Sequence, residues 1–185
     1  MQSKADIFEY WKDWLDERGF DWGEPSCWAC GHWWDTKYDV EDPNAPWEEI
    51  RKAWNKVPLQ RCHIIPKSLG GEDEPSNLFL MCIECHDRAP DTTSREAFFK
   101  WVENQSWTGR MFKSIEEECK TFGFDEKTPK EIEELSDMLI SKDFKEWARD
   151  KIGIHFSQSG YGSQITPSTI VALFWEYSKI KNNNL

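Results

Sequence analysis

The sequence predicts an α+β fold that is mostly α: a small module of two short strands and one helix, with helical extensions before and after it. Three observations carry that reading. Outside residues 20–92 the apolar residues recur at helical spacing. Two short apolar runs, at residues 59–65 and 78–81, are bounded by proline and glycine in the manner of strands. Two Cys-x2-Cys pairs, Cys27/Cys30 and Cys82/Cys85, bracket those runs. The organisation that follows is an N-terminal helix in 1–19, the module in 20–92 and a helical C-terminal region, 93–185, packed on it.

Taken in order, the first element is a helix from Ser3 to Arg18. Ser3 caps it with Asp6 three residues on, and Ile7, Phe8, Trp11, Trp14 and Leu15 share one face. Gly19 is placed to end it. The stretch "GEPSCWACGHWWD" reads as a turn-rich loop, and "APWEEIRKAWNKV" as a helix with Pro46 near its first position. Leu59–Ile65 is a strand closed by Pro66, "LGGEDEPS" a loop, Leu78–Met81 a second strand, and "CIECHDRA" the start of a helix. Helices are predicted over Ser94–Asn104, Gly109–Thr121, Pro129–Ile140 and Lys142–Asp150, the third opened by the capping box "TPKE" at Thr128–Glu131. Residues 153–165 are rich in Gly and Ser and read as a loop. "TPSTIVALFWEYSKIK" makes a last helix with Ile170, Val171, Phe174 and Tyr177 on its apolar face, and the final "NNNL" is expected to fray.

The composition sets bounds on function. The chain has 185 residues, 12 Trp and 11 Phe, enough to build a core. No apolar run reaches the roughly 18 residues of a membrane span. The N-terminus is amphipathic and acidic, unlike a signal peptide, so the expected location is the reducing cytoplasm, where cysteines serve as metal ligands or free thiols. That also argues against reading "CIECH" as a haem attachment site, which requires export. The net charge of −11 argues against tight nonspecific binding to nucleic acid. The stretch 61–100 carries a net charge of only −2, and Arg61, Lys67, Arg88, Arg95 and Lys100 can form a local basic strip.

Two CxxC turns present four sulfurs to one ion, and four thiolates complete the tetrahedral shell that Zn²⁺ prefers. Cys27, Cys30, Cys82 and Cys85 are therefore the predicted ligands of a structural Zn²⁺ that couples metal binding to folding. Cys119 shares a helical face with Phe112, Ile115 and Phe122 and reads as a core thiol.

An ion at Cys82 and Cys85 fixes the start of the helix that carries His86. His63 lies on the first strand, Asn77 at the return to the second, and a hairpin followed by a helix can bring all three together. An imidazole at His63 has the ordinary pKa best matched to taking a proton from water. Asn77 can orient it by hydrogen bonding, and His86 can hold a divalent ion against a phosphate oxygen.

The layout "CHIIP", "LGG", "PSNLFLMC" and "CxxCH" resembles the HNH endonucleases, the ββα-metal nucleases, in their four-cysteine zinc-stapled variant. The resemblance covers residues 27–92. It implies His63 as general base, Asn77 as its orienter and His86 as ligand of the catalytic ion. The implied reaction is phosphodiester hydrolysis, commonly in double-stranded DNA, supported by Mg²⁺ or another divalent ion. One position departs from the pattern. Where the family often has Asp, His or Glu as a second metal ligand, this chain has Cys62, and thiolate is a poor partner for Mg²⁺. Three ligand sets stay open: Cys62 on a softer ion, Asp87 or Asp91 in its place, or His86 alone with water and substrate phosphate. The alternative function is a catalytically inactive zinc-stapled module that binds protein or nucleic acid.

The remaining signals are plainer. His32 reads as a loop histidine and His155 has no evident partner in the sequence. The tryptophans at 11, 14, 22, 28, 33, 34, 47 and 54 read as core more than as base-stacking platforms. Gly70-Gly71 lets the connection between the strands turn, or lets backbone approach a phosphate. The helices of 93–185 suit a protein partner or self-association.

Overall fold

In the computed structural model, residues 2–34, 37–124, 137–138, 140–153, 155–156 and 163–182 are described. Two compact units divide the chain, Met1–Trp107 and Thr108–Leu185.

The first unit opens with helix α1 (Lys4–Asp16), capped as the sequence predicts: the Ser3 hydroxyl accepts from the Asp6 N–H and the Asp6 carboxylate accepts from the Ser3 N–H. Gly19, at φ +71°, turns the chain away after it. Ala5, Ile7, Phe8, Trp11 and Leu15 are buried on one face. Helix α2 (Trp47–Lys56) starts from Pro46 as its cap and packs on α1, with Phe8 stacked on Trp54 at 4.4 Å between ring centroids. Arg51 of α2 also bridges to Asp6 and Glu9 of α1.

Strands β1 (Gln60–His63) and β2 (Leu78–Met81) pair antiparallel, Gln60 opposite Met81 and His63 opposite Leu78. β1 is shorter than Leu59–Ile65, because beyond His63 the bonds go to one residue: Ile64 N–H donates to the Asn77 carbonyl and Ile65 N–H to the Asn77 side chain. Every residue of β2 is buried, as a strand covered on both faces must be. Phe79 makes edge-to-face contacts with Trp11, Trp14, Trp28 and Phe98. The outward carbonyls of β2 are occupied as well: Leu78 accepts from the Trp11 indole at 2.9 Å and Leu80 from the Trp28 N–H at 3.1 Å. Helix α3 (Ile83–Arg88) packs on both strands, and α4 (Arg95–Val102), capped by Ser94, buries Phe98 and Val102.

Helix α5 (Trp107–Thr121) begins at the unit boundary. The second unit continues with α6 (Lys142–Arg149), capped by Ser141, and α7 (Pro167–Asn182). Its core gathers Phe124, Phe144, Ala148, Val171, Leu173, Phe174 and Tyr177, with Cys119 half-buried against it. Two sequence expectations change here. Phe112, on the helix side it was assigned with Cys119, lies 68% exposed and so stays outside the core. The Gly/Ser-rich stretch holds two short paired strands, β3 (His155–Phe156) and β4 (Ser163–Gln164). The predicted helix Pro129–Ile140 with its capping box, and the frayed "NNNL", lie largely outside the described residues. Among the described residues no helix is long and apolar enough to cross a membrane.

Candidate metal centre and histidine site

The four CxxC cysteines meet. Cys27 and Cys30 sit on a tight turn in which Gly31 N–H donates to the Cys27 carbonyl and Cys27 N–H to the His32 carbonyl, both at 2.8 Å. Gly31 adopts φ +74°, which a side chain would strain. Cys82 is the residue that caps α3, and Cys85 lies in its first turn, where His86 N–H donates to the Cys82 carbonyl. All four Sγ atoms lie within 4.8 Å of one another and all four residues are buried. Cys30 Sγ and Cys82 Sγ are 3.8 Å apart. The edge of a tetrahedron with metal–sulfur bonds of about 2.3 Å is also about 3.8 Å. Burial pushes the Cys27 thiol well up, whereas hydrogen bonds from Cys27, Cys30 and Cys85 draw Cys82 down. A buried sulfur cluster cannot ionise throughout without a cation among the sulfurs, and a dication meets that need. The donor set, spacing and burial fit zinc.

The histidine site is built on the connection between β1 and β2. His63 ends β1 with its side chain 21% exposed, and its Nε2 lies 2.7 Å from Asp73 Oδ1. The second oxygen of Asp73 is held by Lys67 Nζ. The hydrogen bond from Lys67, then that from His63, holds the Asp73 carboxyl below the usual carboxylate range. Lys67 lies on a 3₁₀ turn, Lys67–Leu69, that Gly70 ends at φ +91°. At Gly71 the chain passes so close to Ile65 that an added Cβ would sit 1.7 Å from the Ile65 carbonyl oxygen. Close backbone packing within the loop is therefore what requires this second glycine.

Asn77 closes the loop. Its Oδ1 accepts from Ile65 N–H at 3.0 Å, and its Nδ2 donates to the carbonyls of Ile65 at 2.9 Å and Glu72 at 3.0 Å. The sequence reading gave this amide a direct bond to His63. The structure spends the amide on the backbone beside His63 and beside Asp73, and the ring's partner is Asp73. Sequence reasoning missed Asp73, and the only signal for it was the acidic run "EDE" after the paired glycines.

His86 projects from α3 with its side chain 41% exposed and Nδ1 3.3 Å from Asp87 Oδ1. Cys62 is 5% exposed, and its Sγ donates to the His63 carbonyl at 3.6 Å. Burial, then the charges of Asp91 and Cys85, pushes its thiol up to about 12. Without a cation beside it such a thiol stays protonated at neutral pH, and a ligand role for Cys62 would need the ion to displace that proton. Among the described residues, only the four cysteines form a group of three or more His, Cys, Asp or Glu with ligand atoms gathered together. The expected basic strip is partly committed: Lys67 to Asp73, and Arg95 to the Ser76 carbonyl at 3.0 Å. His32 is buried between the rings of Trp34 and Trp107.

Residues 51–101 match the family model described as HNH endonuclease. The match contains β1, β2 and α3 with His63, Asp73, Asn77, Cys82, Cys85 and His86, while Cys27 and Cys30 precede it. The matched family is of nuclease type, with nucleic acid as its implied substrate, and the match covers 51 of the 185 residues. No curated protein and no solved structure matches the chain.

Proposed function

We propose that the HNH endonuclease domain at residues 51–101 makes this chain a metal-dependent endonuclease that hydrolyses phosphodiester bonds in DNA, with double-stranded DNA as the first substrate to test. The observation that carries the reading is the rigid seating of His63, whose ring is held by Asp73 on a strand against which α3, the helix of His86, is packed. His63 takes a proton from a water whose oxygen attacks phosphorus. His86 would hold a divalent ion, Mg²⁺ or another, with water and substrate phosphate completing its shell, and when bound that ion would supply charge stabilisation to the reacting phosphate. Cys27, Cys30, Cys82 and Cys85 would hold a structural Zn²⁺, and the ion would fix the start of α3. A cytoplasmic location suits these reduced cysteines, and the C-terminal unit offers a surface for a protein partner or a second copy.

The test is cleavage of supercoiled plasmid by the full chain with Mg²⁺, Mn²⁺ or Ni²⁺. Wild type is expected to nick or cut, and His63→Ala to abolish cutting while keeping its fold by circular dichroism. Equal cutting by the two refutes the role of His63. A second reading, a zinc-stapled binding module without catalysis, is favoured by the buried Cys62, which stands where the HNH endonucleases often have Asp, His or Glu as a metal ligand. It requires bound zinc and no cleavage with any of the three ions.

A further inference from the structure

Resting on the nuclease reading, we propose that Asp73 is a positioning residue: it holds His63 in the tautomer protonated at Nε2 and so leaves Nδ1 as the nitrogen that accepts the proton from water.

The geometry points to this in steps. Asp73 Oδ1 stands 2.7 Å from His63 Nε2, a charge-assisted distance, and Lys67 occupies the other carboxylate oxygen. The carboxylate is ionised, since Lys67 and His63 together favour its charged form. An ionised carboxylate only accepts hydrogen bonds, so the neutral ring must carry its proton on Nε2. Nδ1 then holds the free lone pair, and it has no protein partner among the described residues. When hydrolysis proceeds, a water proton passes to Nδ1 and the water oxygen bonds to phosphorus. The ester P–O bond breaks with its electron pair on the leaving oxygen, which takes a proton from solvent. The imidazolium left at His63 stays opposite the Asp73 carboxylate, which stabilises the charge just formed.

The loop is built to keep Asp73 in place. Asn77 Nδ2 bonds the carbonyl of Glu72, the neighbour of Asp73, and Ile65, two residues from His63, is gripped by the same amide. The two ends of the Asp73–His63 contact are thus tied to one side chain. Asn77 acts on His63 through this frame, while Asp73 touches the ring.

The experiment uses the zinc-loaded full chain. Long-range ¹H–¹⁵N NMR of the imidazoles reads the His63 tautomer, with His63→Ala assigning the signal. Single-turnover and steady-state plasmid cleavage are measured for wild type, Asp73→Asn and Asp73→Glu. The expected result is protonated Nε2 and bare Nδ1 in wild type. Asp73→Asn should lower kcat on the order of 10–100-fold, as when a carboxylate behind a functional histidine is lost, with KM little changed. Asp73→Glu should recover part of the loss. A wild-type ring protonated on Nδ1 overturns the proposal, as does a folded Asp73→Asn that keeps wild-type kcat. If wild type cuts nothing, the nuclease reading falls, and the tautomer measured in the same sample decides for or against the hold of Asp73 on the ring.

Discussion

Asn77 and Ile65 exchange two hydrogen bonds across the mouth of the β1–β2 connection, Ile65 N–H to Asn77 Oδ1 at 3.0 Å and Asn77 Nδ2 to the Ile65 carbonyl at 2.9 Å. A side-chain amide thereby imitates one rung of a sheet and continues the pairing past the last ladder residues. Because Asn77 is only 7% exposed, water cannot replace these bonds without opening the loop.

Asn77→Ala is therefore expected to destabilise the first unit by about 2–3 kcal/mol, since it strands a donor and two acceptors. Urea unfolding measures the loss, and hydrogen exchange at the Ile65 amide should accelerate. An unchanged Ile65 amide would contradict the loop-closing role.

Full-chain protein should bind one zinc per molecule, read by elemental analysis. Chelation or Cys85→Ser should remove it and lower the melting temperature by well over 10 °C, because binding free energy at such a site is also folding free energy. Cys119→Ser, in the second unit, should leave zinc content unchanged.

The Asp73 contact sets a direction with pH. Its carboxyl is depressed in the folded chain, so its contribution is present above the ordinary carboxylate pKa of about 3.9 and is lost as pH falls through the lower folded value. Wild type should lose stability faster than Asp73→Asn as pH drops from about 5 to 2. Parallel curves would show that the contact contributes nothing in solution.

Much of this architecture is written in short-range patterns. Ser3 with Asp6 specifies the cap of α1, four apolar residues in a row specify a strand buried on both faces, and the CxxC spacing specifies two turns that can share an ion. What escapes such reading depends on distant pairing. The run "EDE" offers three neighbouring carboxylates, and only the path of the loop after Gly70 decides that Asp73 meets His63. Asn77 signals a turn wherever it stands, yet the backbone groups it binds are five and twelve residues away. Phe112 has the helical spacing of a core residue but faces solvent, since periodicity assigns a side and not what covers it. The pairing of β3 with β4 likewise has no local apolar signal to reveal it.

The sealing of β2 by Trp11 and Trp28 bears on solubility. "LFLM" is an apolar, uncharged segment, and β1 covers only one of its edges. A bare second edge of that kind is a template on which identical chains stack. Two tryptophans, one from α1 and one from the first cysteine turn, occupy its outward carbonyls instead. A lesion that frees either of them, far from the histidines though it lies, would uncover this edge and is expected to favour precipitation over simple unfolding.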